Sequence, residues 1–288
     1  MTQLDIRTTV REKYGAMARA GSSCCGPATN GCCAPAADPT ELASAIGYDT
    51  SELAKILPEG ANLGLSCGNP GAIAALKPGE TVLDLGSGAG FDAFLCGPKV
   101  GATGLVIGVD MTPDMLAKAR GNVTGYTQRT GLANVEFRMG EIEHLPVADG
   151  SVDVVISNCV INLSPDKPQV WREIVRVLKP GGRVAVSDMV LLKPLPEVLV
   201  SAINAYVGCI AGASLVDDLR QMMHDAGLVK IRLTPKEAYV GKLSQGNDPL
   251  YQQVQSGLPA GSAPGDYITS MDIEAGKVGA CCSPGCCD

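Results

Sequence analysis

From residue 81 the chain alternates short apolar runs with amphipathic ones. TVLDLG (81–86), GLVIGVDM (104–111), VEFRMG (135–140), VDVVISN (152–158) and RVAVSDMVL (183–191) have the length and β-branched content of buried strands. Between them, GFDAFLCGPKV (90–100), PDMLAKARGNV (113–123) and KPQVWREIVRVL (167–178) read as helices. Pro113 suits a first helical turn, and the Lys-Pro-Gly-Gly that follows Leu178 suits a helix stop. Strands alternating with helices predict a parallel sheet covered on both faces, joined by right-handed crossovers.

The flanks have other patterns. Residues 4–20 predict a helix, 21–39 a loop rich in Gly, Ser, Pro, Ala and Cys, and 40–57 another helix. Asn69-Pro70 begins a short helix that Lys77-Pro78-Gly79 ends. Residues 194–227 read as helical with interruptions at Gly208 and Gly212, and VKIRLTP and KEAYVGKL as a final pair of strands. From about residue 243 the chain is rich in Gly, Ser, Pro and Asp, which predicts a flexible tail. The expected division is an N-terminal cap over 1–75, a Rossmann-like α/β domain over 76–192, a segment over 193–242 that completes the sheet, and a Cys-terminated tail over 243–288.

Composition narrows the function. Hydrophobic residues make up 45% and charged residues 18%, so a core forms and global disorder is excluded. The net charge of -7, with no basic run, argues against a nucleic-acid partner. No apolar run reaches membrane-spanning length and the first residues lack a signal-peptide pattern, so a reducing cytoplasm is expected. There the 12 cysteines are thiols, and with only 2 histidines beside them they point to a soft ligand. Eight form vicinal pairs, Cys24-Cys25, Cys32-Cys33, Cys281-Cys282 and Cys286-Cys287. Four stand alone, Cys67, Cys96, Cys159 and Cys209. Cys96, among Phe94 and Leu95, reads as packing, while the other three stand between buried hydrophobe and reactive thiol. His144 and His224 read as exposed residues without a catalytic part.

VLDLGSGAG places Asp84, Gly86, Gly88 and Gly90 at a strand-to-helix turn, where a backbone without side chains can approach a ligand. Asp110 ends the next strand, where a carboxylate can accept from both hydroxyls of a ribose. A dinucleotide fingerprint would need a third glycine where Phe91 stands. Asn158 and Cys159 end the fourth strand, at the edge where open α/β sheets bind ligands.

The loop resembles motif I of class I S-adenosylmethionine methyltransferases, and LKPGG before the fifth strand resembles the same group. More specifically, KYG, GLSCGNP, DLGSGAGFD, GVDMTPDML, SNCVINLSPDK, RVLKPGGRVAVSD and GCIAGA resemble segments of the arsenite S-adenosylmethionine methyltransferases, from about residue 10 to about 235. The resemblance implies a mostly parallel seven-stranded sheet and S-adenosylmethionine as methyl donor. It implies donor contacts at Tyr14, Gly15, Asp84, Gly86, Ser87, Gly88, Asp110, Met111, Glu141, Ile142 and Asn158. It also implies that Cys159 and Cys209 bind As(III) and that Cys67 takes part, with Cys32 or Cys33 as the nearest match to a further N-terminal cysteine. Tyr206 stands where the family often has Trp. Tyr14 would offer an aromatic face to the sulfonium. Trivalent arsenic prefers thiolates, and its lone pair can take a methyl group without a base. Cys67 would then serve thiol exchange, with thioredoxin or glutathione as reductant. The alternatives are a small-molecule C- or O-methyltransferase of the same fold, and a metalloid-binding protein without catalysis.

Overall fold

The computed structural model describes residues 3–20, 39–200, 210–236 and 249–279. Its centre is a seven-stranded sheet in the order β3-β2-β1-β4-β5-β7-β6. The strands are β1 (Thr81–Leu85), β2 (Leu105–Asp110), β3 (Val135–Met139), β4 (Val152–Asn158), β5 (Leu178–Leu191), β6 (Leu228–Lys236) and β7 (Ile268–Lys277). β1 to β5 are parallel, and β7 runs antiparallel to both β5 and β6.

The strand pattern follows from burial on both faces. Val82, Val106 and Val154 enter one core with Phe94 and Tyr126. Their neighbours Leu83, Ile107 and Val155 enter the other with Trp171 and Ile174. Successive side chains point to opposite faces, so a sheet with two cores needs an unbroken apolar run. The helices α1 (Gln3–Ala20), α2 (Pro39–Ala45), α3 (Thr50–Ile56), α4 (Pro70–Ile73), α5 (Phe91–Val100), α6 (Pro113–Thr130) and α7 (Lys167–Val177) precede or flank β1 to β5.

Several expectations change. Residues 40–57 are not one helix, because Gly47 adopts φ 97 and Asp49 caps a new helix by accepting from the Ser51 N–H at 2.8 Å. The helix from Pro113 runs to Thr130, and β5 starts at Leu178 rather than after the Lys-Pro-Gly-Gly turn. In the 194–227 stretch the described helices are α8 (Glu197–Val200) and α9 (Val216–Asp225). VKIRLTP lies in β6, while most of KEAYVGKL falls outside the described residues.

The largest correction concerns the tail. Residues 249–279 are folded, with α10 (Pro249–Gly257) and then β7 lying inside the sheet. The sheet is therefore completed by β6 together with a strand from beyond residue 243. Polar Thr269, Ser270 and Asp272 are interspersed among Ile268, Met271 and Ile273, and all six are buried. Buried polar residues break the apolar run that marks a strand.

Among the described residues no helix is long and apolar enough to cross a membrane.

Candidate active site

Strand order reverses between β1 and β4, which opens a crevice at their carboxyl ends. A cleft of about 1040 Å3, solvent at its mouth included, occupies it. Tyr14, Asp84, Gly86, Ser87, Gly88, Asp110, Met111, Ile142, Asn158 and Cys159 all line this cleft. Three residues expected there do not. Gly15 packs on α6, where a Cβ would lie 2.8 Å from Asp114 Oδ2. Glu141 pairs instead with Arg7 at 3.5 Å and Arg11 at 3.3 Å, both from α1. Cys67 is buried behind the wall.

The glycine loop is shaped by left-handed backbone at Gly86 (φ 64) and Gly88 (φ 52). Asp110 stabilises the loop by accepting from the Gly88 N–H at 2.9 Å and the Thr112 N–H at 2.7 Å. Asp84 Oδ2 and Ser87 Oγ are buried in the same region without a hydrogen-bond partner among the described residues. Buried polar atoms in native proteins are normally satisfied, so these two fit a ligand's polar groups.

Burial, and then the charges of Asp92 and Asp110, push the Asp84 carboxyl well above its usual range. Burial also raises Asp92, against hydrogen bonds from Tyr48 and Asn158 that favour its ionised form. Burial raises Asp110, against donation from Thr112 and Gly88. Three carboxyls on one cleft wall make a site suited to a cation.

Cys159 follows β4 in a left-handed conformation, φ 56, which few residues other than glycine adopt. Its N–H donates to the Ser187 carbonyl at 2.9 Å. The turn brings its sulfur to Cys67, 92 residues earlier, and the two form a disulfide with Cα atoms 6.1 Å apart. A carboxylate oxygen of Asp188 lies within 4.8 Å of both sulfurs. Burial pushes that carboxyl up to about 7.

The Cys67 backbone is held on three sides. Its N–H donates to Asn158 Oδ1 at 3.0 Å, and its carbonyl accepts from Ser270 Oγ at 2.9 Å. The next carbonyl, of Gly68, accepts from Asn158 Nδ2 at 2.8 Å. A Cβ on Gly68 would lie 2.5 Å from Ser187 Cβ, so only glycine fits between the loop and β5.

Cys96 is buried in α5, and burial raises its thiol well above the usual range, as suits a packing residue. His144 and His224 are exposed. Cys32, Cys33, Tyr206 and Cys209 lie outside the described residues. Sequence reading missed Tyr48, Asp92, Asp188 and Ser270. Asp92 had a local signal, directly after the glycine loop, but the others reach the site only through tertiary folding.

Residues 76–227 match the family model described as a methyltransferase domain. The chain is 47% identical over 281 residues to an arsenite methyltransferase of Halobacterium salinarum, covering 95% of this chain and 67% of that protein. It is 46% identical over 162 residues to an arsenite methyltransferase of Aquipseudomonas alcaligenes, covering 55% of this chain and 47% of that one. The crystal structure of an arsenic(III) S-adenosylmethionine methyltransferase from Chlamydomonas reinhardtii superposes with a TM-score of 0.59 at 32% identity, covering 84% of this chain and 74% of that one.

Proposed function

The chain belongs to the arsenite methyltransferases, and we infer that Cys159 and Cys67, which its geometry brings together, hold trivalent arsenic beside the donor cleft, with Cys209, outside the described residues, as a further ligand on the sequence resemblance alone. The methyl donor is S-adenosylmethionine, and the substrate is arsenite or its thiol conjugates. One observation carries the reading of the thiols. Two sulfurs 92 residues apart meet at the end of β4, and one of them belongs to a residue of the cleft wall.

S-adenosylmethionine, when bound, supplies an electrophilic methyl group on a sulfonium. Asp84 and Ser87 offer unpartnered polar atoms to it, Asp110 offers a carboxylate to a ribose, and Tyr14 offers a ring to the cationic centre. Glu141 is engaged by α1, so its part is to anchor that helix over the cleft.

The cysteines act as reduced thiols. Each As–S bond forms as a thiol proton leaves with an arsenic hydroxyl as water. The arsenic lone pair then forms the As–CH3 bond as the S–CH3 bond breaks. No proton leaves the arsenic, so no base is needed, in keeping with two exposed histidines. The product arsenic is formally pentavalent. Cys67 and a second bound thiolate return it to the trivalent state: their two As–S bonds break as the S–S bond forms, two electrons stay on the arsenic, and water takes the vacated position with loss of one proton. A dithiol or glutathione-type reductant then restores the thiols, which requires a reducing compartment. The Cys67–Cys159 disulfide is the form the pair takes before that restoration.

Cys159→Ser is expected to lower arsenite methylation by about a hundredfold or more while donor affinity stays within about twofold. Product speciation by chromatography with arsenic detection measures the first, and calorimetry with S-adenosylhomocysteine the second. Full turnover in Cys159→Ser, or in Cys209→Ser, would sink the ligand assignment. Full multi-step turnover in Cys67→Ser would sink its role in exchange.

A further inference from the structure

Tyr48 has no part in the chemistry above and Asp92 enters it only as a carboxyl of the cleft wall, yet both are buried beside the thiols. Tyr48 lies in the link between α2 and α3, and Asp92 in the first turn of α5. Tyr48 Oη donates to Asp92 Oδ1 at 2.5 Å. The other oxygen of Asp92 accepts from Asn158 Nδ2 at 3.0 Å. Asn158 Nδ2 also donates to the Gly68 carbonyl, and Asn158 Oδ1 accepts from the Cys67 N–H. One carboxamide thus grips the Cys67–Gly68 segment by an N–H and a carbonyl. Its own orientation is set by Asp92, whose orientation is set in turn by Tyr48.

The geometry of the chain has a direction. Asp92 and Asn158 line the donor cleft, while Cys67 stands behind its wall. A carboxamide has two N–H bonds, and here they face Gly68 and Asp92 at the two shortest distances, with Tyr48 Oη at 3.2 Å. Without Asp92 the carboxamide could rotate and trade its oxygen for its nitrogen, which would set an N–H against the Cys67 N–H. Asp92 prevents this because its Oδ2 accepts from Asn158 Nδ2 at 3.0 Å and would face a second acceptor, Asn158 Oδ1, after the rotation.

We propose that Tyr48 and Asp92 are positioning residues for the sulfur chemistry, acting through Asn158, and Tyr48 also directly at the Gly68 carbonyl 3.1 Å from its Oη, to hold Cys67 within bonding reach of Cys159. The proposal rests on the reading that these two cysteines do the arsenic and electron chemistry. Its consequence is a high effective concentration of one thiol at the other. Two thiols held in register close to a disulfide more readily than two that are free to drift. The chain of hydrogen bonds runs from Asp92 and Asn158 on the cleft wall to the Cys67 segment behind it, and Tyr48 stands outside the cleft lining.

The test is a redox titration of the full-length protein against dithiothreitol, without arsenic, following the Cys67–Cys159 bond by alkylation and peptide mass. Tyr48→Phe keeps the ring and removes the hydroxyl, while Asp92→Asn keeps the shape and removes the fixed acceptor. Both are expected to shift the equilibrium toward the dithiol by about fivefold or more, with S-adenosylhomocysteine affinity for Tyr48→Phe within about twofold. Turnover of arsenite should fall in kcat, with KM for the donor unchanged in Tyr48→Phe. Unshifted redox equilibria in both variants would overturn the proposal. So would a loss of donor affinity in Tyr48→Phe as large as the shift in the thiol equilibrium. The titration needs no arsenic, so it stands apart from the cysteine substitutions that test the ligand assignment.

Discussion

Gly86 has almost no freedom. It adopts φ 64, and a Cβ there would fall inside the contact radius of the Val160 side chain. Val160 follows Cys159, so the donor loop and the thiol turn are packed against each other. Gly86→Ala is therefore expected to weaken donor binding about tenfold or more, read by calorimetry with S-adenosylhomocysteine. Unchanged affinity would mean that Val160 yields at no cost. Residues of this kind were legible in the sequence, because Asp84, Gly86, Gly88 and Asp110 sit at the ends of strands with a clear pattern. Tyr48 and Ser270 were not, because they reach the carbonyls of Gly68 and Cys67 from 20 and 203 residues away, respectively.

At the scale of elements, α7 shows how a helix holds a loop. Glu173 accepts from the Leu145 N–H at 2.7 Å and from Arg176 at 2.7 Å. Arg176 donates in turn to the carbonyls of Leu145 and Val147. The Arg176 guanidinium holds the Glu173 carboxyl below its usual range. A depressed carboxyl stabilises the fold above its unfolded pKa and loses that effect as the pH falls through the folded value. Glu173→Gln should therefore cost about 1–3 kcal/mol at neutral pH, with the gap to the parent closing in acid. Thermal melts of both proteins between pH 7 and pH 3, roughly the span of the carboxylate titration, would show it. A gap that persists in acid would assign the loss to packing. The elements themselves were legible where burial is two-sided, as in β1 and β4. β7 was hidden because its buried serine, threonine and aspartate imitate a loop.

At the scale of the whole molecule, α1 borders the candidate donor cleft. Val10 and Tyr14 on this helix line the cleft. Arg7 bridges Glu141 and Glu143, the latter at 3.3 Å, and Arg11 adds a second tie to Glu141. These ties join the first helix to the segment after β3. Arg7→Ala is expected to speed donor release severalfold, about 1 kcal/mol, as followed by rapid mixing. The effect should shrink as salt is raised, since partly exposed ion pairs are screened. Equal release rates in the two proteins would remove α1 from the closing of the cleft.

Among the described residues β6 pairs with β7 alone and lies at the edge of the sheet, yet β7 comes later in the chain. During synthesis the edge strand therefore emerges before the neighbour it pairs with, β7, while β1 to β5 are free to assemble as each emerges. Ser270 arrives with that later strand, so the fastening of the Cys67 carbonyl forms after β1 to β5 have emerged. A nascent chain would carry the donor fold well before it could present a finished pair of thiols.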